Sequence, residues 1–141
     1  MCNLYLQGRV FGRTPRRRGV TLLHELRAAG TPVSVASDNC RDLFYAYGDH
    51  DVLEVFREAT RIAHLDHPHD GWELAVGATP AGVMGISRGF GIGHPADFVI
   101  FRACTMNELL GRPQSDRRVI RGGGVIDTRL PDYAELDDRV A

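Results

Sequence analysis

Residues 31–39 read TPVSVASDN, a short β-branched run that ends on an aspartate and an asparagine. Pro32–Ser37 has the composition of a strand buried on both faces, as the strands of parallel sheets are. Asp38 follows where such a strand ends, at the edge on which α/β barrels place their catalytic residues. The sequence therefore indicates a carboxylate fixed by a rigid strand, and Asp38 is the first candidate for chemistry.

The residues before this run predict a helix. Val20–Ala29 places three leucines on one face, and Gly30 follows as the residue that ends the helix. A strand-like stub, Asn3–Leu6, precedes the helix across a loop rich in glycine, proline and arginine. Stub, helix and strand form a βαβ unit, so we expect a parallel sheet.

The residues after the run predict further helices. Asp51–Leu65 repeats its apolar residues at helical spacing and is the clearest helix of the chain. We expect Asp70 to cap a short helix that runs to Val76. We also expect Thr79 to cap another short helix, with Pro80 at its first position.

The character of the sequence changes after residue 85. A glycine-rich stretch, Gly85–Pro95, leads into a predicted strand, Asp97–Ala103. Thr105–Glu108 has the pattern of a capping box, which predicts a short helix. Arg118–Asp127 predicts a hairpin about three consecutive glycines, and the tail from residue 128 is acidic.

Composition excludes several classes of function. The 141 residues are 43% hydrophobic and 25% charged with a formal net charge of −1, which is typical of a globular domain and gives no field for nucleic acid or membranes. No apolar run approaches the roughly 18 residues of a membrane span, and the residues after Met1 lead us to expect no secretory signal. The basic residues are all arginine, which excludes a Schiff-base or phosphate-loop lysine.

The cysteines Cys2, Cys40 and Cys104 are widely spaced and odd in number. This predicts neither a disulfide framework nor a zinc ribbon, so we expect a reducing cytoplasm. Cys40 and Cys104 also show no basic partner that would indicate a reactive thiolate.

Histidines at 64, 67 and 69 lie in the string HLDHPH and suggest a metal pair. Pro68 interrupts that pair and no strand precedes it, whereas histidines at a helix end commonly bind free carbonyls. We therefore expect no dedicated metal site there.

Two other motifs have ordinary explanations. The five arginines between Arg9 and Arg18 could bind phosphate, but the near-zero net charge favours pairing with carboxylates. The alternate glycines of Gly89–Gly93 lack the strand and helix of a dinucleotide loop, so a bend is expected.

Phe44, Tyr45 and Tyr47 could either stack on a planar base or cover a barrel mouth.

Several segments together resemble one family. In chain order they are NLYLQGR at 3–9, TPRRRG at 14–19, ASDN at 36–39, RDLFYAYGDHDVLEV at 41–55, GIGHPADFVIF at 91–101 and the hairpin at 118–127. Over nearly its whole length the chain resembles the cytosine deaminase family of the amidohydrolase superfamily.

The resemblance implies an α/β fold: the C-terminal portion of a (β/α)8 metal-dependent hydrolase barrel plus part of its composite β-sandwich domain. Asn3–Leu6 would be the seventh barrel strand and Pro32–Ser37 the eighth. Residues 1–86 would belong to the barrel, residues 87–128 to the composite β domain, and residues 129–141 to an acidic tail.

The resemblance also implies an activity. Members of this family hydrolyse the exocyclic C–N bond of a small amino-pyrimidine to give an oxo-pyrimidine and ammonia, using a divalent metal that we expect to be iron or zinc. Asp38 would ligate that metal and shuttle protons, and Asn39 and Phe44 would lie near the base pocket. Neither nucleic acid nor a membrane is an expected partner.

Part of the family pattern is missing. The HxH pair of the first barrel strand is absent, and a complete barrel needs about 250 residues. We therefore expect the chain to be inactive by itself and not to retain the metal. The alternative is a non-catalytic remnant, or a split subunit that acts only when docked on a partner chain that supplies the missing strands.

Overall fold

The computed structural model describes residues 20–38, 40–42, 47–86 and 89–129. The chain forms two compact units, Met1–Arg88 and Gly89–Ala141. Among the described residues, none of the helices has the length and apolar character needed to cross a membrane. The predicted strand Asn3–Leu6 and the arginine-rich loop after it lie outside the described residues.

The first helix, α1, covers Leu23–Ala28 and is shorter than the predicted Val20–Ala29. It starts later because Leu22 provides no side-chain cap for the free N–H groups of the first turn. Its end is as predicted, since Gly30 has a φ of 81°. The Gly30 N–H donates to Arg27 O at 2.9 Å and the Thr31 N–H to Leu26 O at 3.0 Å, the two bonds of a Schellman motif.

Helix α2 covers Val52–Ala63 and confirms the strongest helical pattern of the sequence. The Asp51 carboxylate caps it by accepting from the Leu53 N–H at 3.0 Å. The helix ends two residues before the predicted Leu65 because His64 adopts the left-handed conformation, with a φ of 55°.

A 3₁₀-helix follows at Trp72–Val76. Asp70 does not cap it, which corrects the prediction: the residue before the helix is Gly71, with a φ of 70° and no capping side chain. Gly71 takes this position because glycine adopts a left-handed backbone without steric cost.

Helix α3 covers Ala78–Val83, and the prediction that Thr79 caps it is wrong. Gly77 precedes the helix, so Thr79 lies inside its first turn. Pro80 is then the third helical residue, where a missing N–H costs little because the first N–H groups of a helix have no internal partner.

The apolar core of the first unit is small. It is built mainly from one face of α2 and from the 3₁₀-helix, which bury residues at helical spacing. Among the described residues, the buried apolar side chains are Val55, Phe56, Ala59, Leu65, Trp72 and Ala75.

Residues 31–38 form no hydrogen-bonded strand, so the prediction of a strand buried on both faces is wrong. Val33, Val35 and Ser37 are half-buried, whereas the residues between them are exposed. The valines recur at every second position, which places them on one face only of an extended segment. A ladder also needs neighbouring strands, and the described part of the first unit contains none.

The second unit contains a three-stranded antiparallel sheet in the order β1-β2-β3. The strands are β1, Phe98–Ile100; β2, Arg118–Arg121; and β3, Gly124–Val125. The predicted hairpin is confirmed. Its connection is Gly122–Gly123, with φ values of 56° and 82°, as a two-residue type I′ turn requires. The first strand is shorter than the predicted Asp97–Ala103.

Helix α4, Met106–Gly111, begins with the predicted cap. The Thr105 Oγ1 accepts from the Glu108 N–H at 3.2 Å, and the Glu108 Oε2 accepts from the Cys104 N–H at 2.7 Å. At the other end, the buried Gln114 donates its amide to Glu108 O at 2.7 Å and Leu109 O at 3.3 Å. Gln114 thereby satisfies carbonyls that lack an intrahelical partner.

Beyond the sheet, Arg129 and Asp127 form an exposed ion pair. The Arg129 Nη2 donates to Asp127 Oδ2 at 2.7 Å. These hydrogen bonds hold the pKa of the Asp127 carboxyl below its usual value and raise the pKa of Arg129. Because both groups face solvent, the pair is not expected to stabilise the fold measurably.

The sheet of the second unit leaves apolar side chains uncovered. Val99 and Ile100 are neighbours on β1 and therefore face opposite sides, yet they are 42% and 47% exposed. Val125 on β3 is 68% exposed. Among the described residues 89–129, Gln114 is the only buried residue, and it is polar. No apolar side chain in that range is buried.

Phe56 tests the core of the first unit. We expect Phe56→Ala to lower the free energy of unfolding by about 3 kcal/mol, because a 4%-exposed ring is replaced by a cavity. Val52→Ala on the same helix is the control, since Val52 is 52% exposed. Urea denaturation followed by circular dichroism measures both, and equal losses would contradict the assigned core.

The uncovered sheet generates a second prediction. We expect the purified chain to self-associate as its concentration rises, because open strand edges and apolar faces pair with other chains. Val99→Thr with Val125→Thr should reduce this association, whereas Val83→Thr, at a 72%-exposed position on α3 outside the sheet, should not. Analytical ultracentrifugation measures it, and a monodisperse monomer that melts cooperatively would contradict the prediction.

Candidate functional site

Asp38 ends the segment that follows α1, and its side chain is exposed. Its φ is 68°, a left-handed conformation that aspartate tolerates better than most residues other than glycine. Asp38 therefore presents its carboxylate from a left-handed backbone position outside any helix or strand.

The 3₁₀-helix holds the segment that leads to Asp38. The Val35 N–H donates to Ala75 O at 2.9 Å. Ala75 is itself buried, and Val33, Val35 and Ser37 turn their half-buried side toward the unit. The backbone three residues before Asp38 is therefore fixed to the core by a hydrogen bond.

The loop after Asp38 is closed at its base. The Cys40 thiol donates to Gly48 O at 3.4 Å, and the Arg41 guanidinium lies 3.6 Å from the Asp49 carboxylate. Asp51 then caps α2. Two side-chain contacts and a helix cap thus fix both ends of the loop that begins beside Asp38.

Two of the three predicted site residues lie in segments that the structure does not describe. Asn39 and Phe44 lie outside the described residues, as does Tyr45, so their predicted positions near a base remain predictions. Tyr47 is described and is 86% exposed.

The described residues do not form a metal site by themselves. They contain no group of three or more histidine, cysteine, aspartate or glutamate side chains arranged to hold a metal ion. His64, His67 and His69 are exposed. Metal sites in proteins usually need three or four ligands, so Asp38 would require ligands beyond the described residues.

Residues 89–93 lead into a strand, as predicted, rather than into the helix of a dinucleotide loop. Gly91 and Gly93 have φ values of 146° and 91°, and the chain continues to β1. Phe90 packs edge-on against Phe98 with ring centroids 5.8 Å apart.

A cleft of about 700 Å³ lies beside α4 in the second unit. Its lining includes Arg102, Arg112, Gln114 and Asp116. Arg102 pairs with Asp116 at 3.2 Å, and the Gln114 amide is used by the helix end. Arg102, Gln114 and Asp116 therefore already have partners within this unit.

Sequence patterns gave no indication of a cluster on Trp72. The His24 ring meets the Trp72 ring edge-on at 5.1 Å, and the Arg27 Cζ lies 4.5 Å from the centroid of the same ring. These partners are more than forty residues apart in the chain, so periodicity could not have paired them.

The chain is similar in sequence to known proteins of one family. A family model described as "Amidohydrolase family" matches residues 2–129. A pterin deaminase from Rhizobium rhizogenes is 62% identical over 140 residues, which are 97% of this chain and 32% of that protein.

The chain is also similar in structure to a solved deaminase. A 5-methylcytosine deaminase from Klebsiella pneumoniae liganded with 5-fluorocytosine superimposes with a TM-score of 0.71 at 30% identity, over 93% of this chain and 32% of that one. The same enzyme with phosphonocytosine gives a TM-score of 0.70 at 31% identity, over 92% and 32%.

These findings confirm the predicted resemblance and fold class, the C-terminal portion of an amidohydrolase barrel. Deaminases of this family are generally metal-dependent. The chain spans about a third of the length of the relatives it matches. It belongs to the amidohydrolase family.

Proposed function

We propose that this chain contributes the Asp38 carboxylate to the active site of a deaminase that removes the exocyclic amino group of an amino-pyrimidine ring. The observation that carries the proposal is the 62% identity to a pterin deaminase over 97% of the chain. Because the aligned region covers 97% of this chain, the segment around Asp38 lies within it.

The proposed substrate is a pterin. Pterin contains a 2-amino-4-oxopyrimidine ring, so it belongs to the amino-pyrimidine class that the sequence predicted. The identity of 62% to the pterin deaminase, against 30% to the 5-methylcytosine deaminase, favours pterin over cytosine.

The reaction adds water to the ring carbon that bears the amino group, breaks the exocyclic C–N bond and leaves a ring carbonyl and ammonia. A proton must leave the water and another must reach the departing nitrogen. A carboxylate held at a fixed position can carry both protons. The Val35–Ala75 hydrogen bond supports such a role for Asp38, because it fixes the backbone beside it.

Asn39 and Phe44 are proposed to contact the ring, by hydrogen bonding to its edge and by stacking on its face. This assignment depends on their sequence positions beside Asp38. The proposed metal, iron or zinc, would be held by Asp38 together with ligands that the described residues do not contain, and it would supply the activated water.

Assembly with further barrel strands is part of the proposal. Residues 1–86 would complete the barrel, residues 87–128 would form part of a composite β domain, and residues 129–141 would be an acidic tail. The missing strands would come from a partner chain or from a longer chain of which this sequence is a part. The uncovered sheet of the second unit supports this, as does the 32% coverage of the relatives. The chain alone would be inactive and would not retain the metal, and a reducing cytoplasm is the proposed compartment.

A second candidate is a non-catalytic remnant. The observation that favours it is that the described residues do not assemble a metal site. The two candidates differ in whether turnover appears once the rest of the barrel is supplied.

The test is ammonia release from pterin and from cytosine, by the chain alone and co-expressed with the part of the Rhizobium rhizogenes relative that it does not align with. We expect pterin turnover only in the co-expressed protein. Asp38→Asn should reduce it about a thousandfold, because an amide cannot accept the proton. Asp66→Asn is the control and should leave turnover unchanged.

Undiminished turnover by the Asp38→Asn protein would contradict the proposed role. Absence of turnover from the co-expressed wild-type protein would favour the remnant. Faster turnover of cytosine than of pterin would reject the proposed substrate.

A further inference from the structure

The cluster on Trp72 joins α1 to two other parts of the first unit. Trp72 is 4% exposed and lies on the 3₁₀-helix. His24 meets it edge-on at 72° between ring planes, and the Arg27 guanidinium lies over its ring. Among the aromatic side chains tryptophan gives the strongest cation–π contact, so Arg27 connects α1 to the 3₁₀-helix at this point.

The same two side chains also bind backbone carbonyls. The His24 Nε2 donates to Ala63 O at 2.8 Å, and Ala63 is the last residue of α2. Arg27 donates to Asp70 O and lies 3.6 Å from the Asp70 carboxylate. Carbonyls at the end of a helix have no intrahelical donor. The His24 N–H supplies a donor to the Ala63 carbonyl and so links α1 to α2.

The segment that leads to Asp38 is attached to the 3₁₀-helix at two points. The Schellman motif at Gly30 sets its direction as it leaves α1, which is held on Trp72. Val35 then donates to Ala75 of the same helical turn. Both attachments depend on one short 3₁₀-helix, Trp72–Val76, so a shift of that helix against α1 would move the segment.

We propose that His24 and Arg27 are positioning residues for Asp38, and that they act by holding α1 and the 3₁₀-helix in one arrangement. They do not touch the reacting atoms. The catalytic consequence rests on the proposed function of Asp38, whereas the mechanical consequence concerns residues 31–38 and can be measured without any substrate.

The experiment measures amide hydrogen exchange in the full 141-residue chain. Arg27→Met removes the cation but keeps an apolar stem, and we expect it to speed exchange at Val35 about tenfold. His24→Leu should have an effect in the same direction. Amides in the buried face of α2, at Val55–Thr60, serve as the internal reference and should change less than about twofold.

Two further variants complete the test. Arg61→Met is the matched control, because Arg61 pairs with Glu58 at 3.0 Å on the surface of α2 and has no contact with Trp72 among those described. It should leave Val35 exchange unchanged. Arg27→Lys keeps the positive charge but loses the planar guanidinium that stacks on Trp72 and binds Asp70, so it should restore only part of the protection at Val35.

Unchanged exchange at Val35 in Arg27→Met would overturn the proposal. An equal rise at Val35 and throughout α2 would also overturn it, because it would show general destabilisation rather than positioning. In the co-expressed enzyme, we expect Arg27→Met to lower kcat more than it raises KM, and a change in KM alone would overturn the link to Asp38. If Asp38→Asn retains activity, the proposed function fails, and the exchange measurements still decide whether the segment is held.

Discussion

The burial of Trp72, on the 3₁₀-helix, is the interaction on which the described part of the first unit depends. The core beneath it is small, and Trp72 is its largest side chain. A buried indole brings a large apolar area and a face that attracts cations, which is why one helix can supply both Arg27 and His24 to it. Through the same 3₁₀-helix the core holds the segment that ends at Asp38.

The two units differ in how much apolar surface their described residues bury. The first buries an amphipathic helix against a tryptophan, whereas the described part of the second has a sheet with apolar side chains exposed on both faces. A three-stranded sheet without a covering layer gains little from apolar burial. The relatives that the chain matches are about three times as long, and in the proposed assembly the additional protein would cover this sheet.

Features that depend on neighbouring residues could be predicted from the sequence. Helix α2, the Thr105 cap and the Gly122–Gly123 turn each depend on residues within a few positions of one another. The caps predicted at Asp70 and Thr79 were wrong because glycines, Gly71 and Gly77, occupy the capping positions of those helices. Glycine takes such a position through its backbone freedom and makes no side-chain hydrogen bond. The strand at Pro32–Ser37 could not be judged from its own residues, since pairing depends on partners elsewhere. The Trp72 cluster joins residues distant in sequence, and no periodicity indicates it.

The central claim is that the Asp38 carboxylate carries protons in a deaminase. Chemical rescue tests it most directly: pterin turnover by the co-expressed Asp38→Gly protein, measured with and without added formate. The claim predicts that turnover is lost in the variant and partly restored as formate rises, because a free carboxylate can occupy the space that glycine leaves. Turnover by Asp38→Gly equal to that of the wild type, without formate, would contradict it.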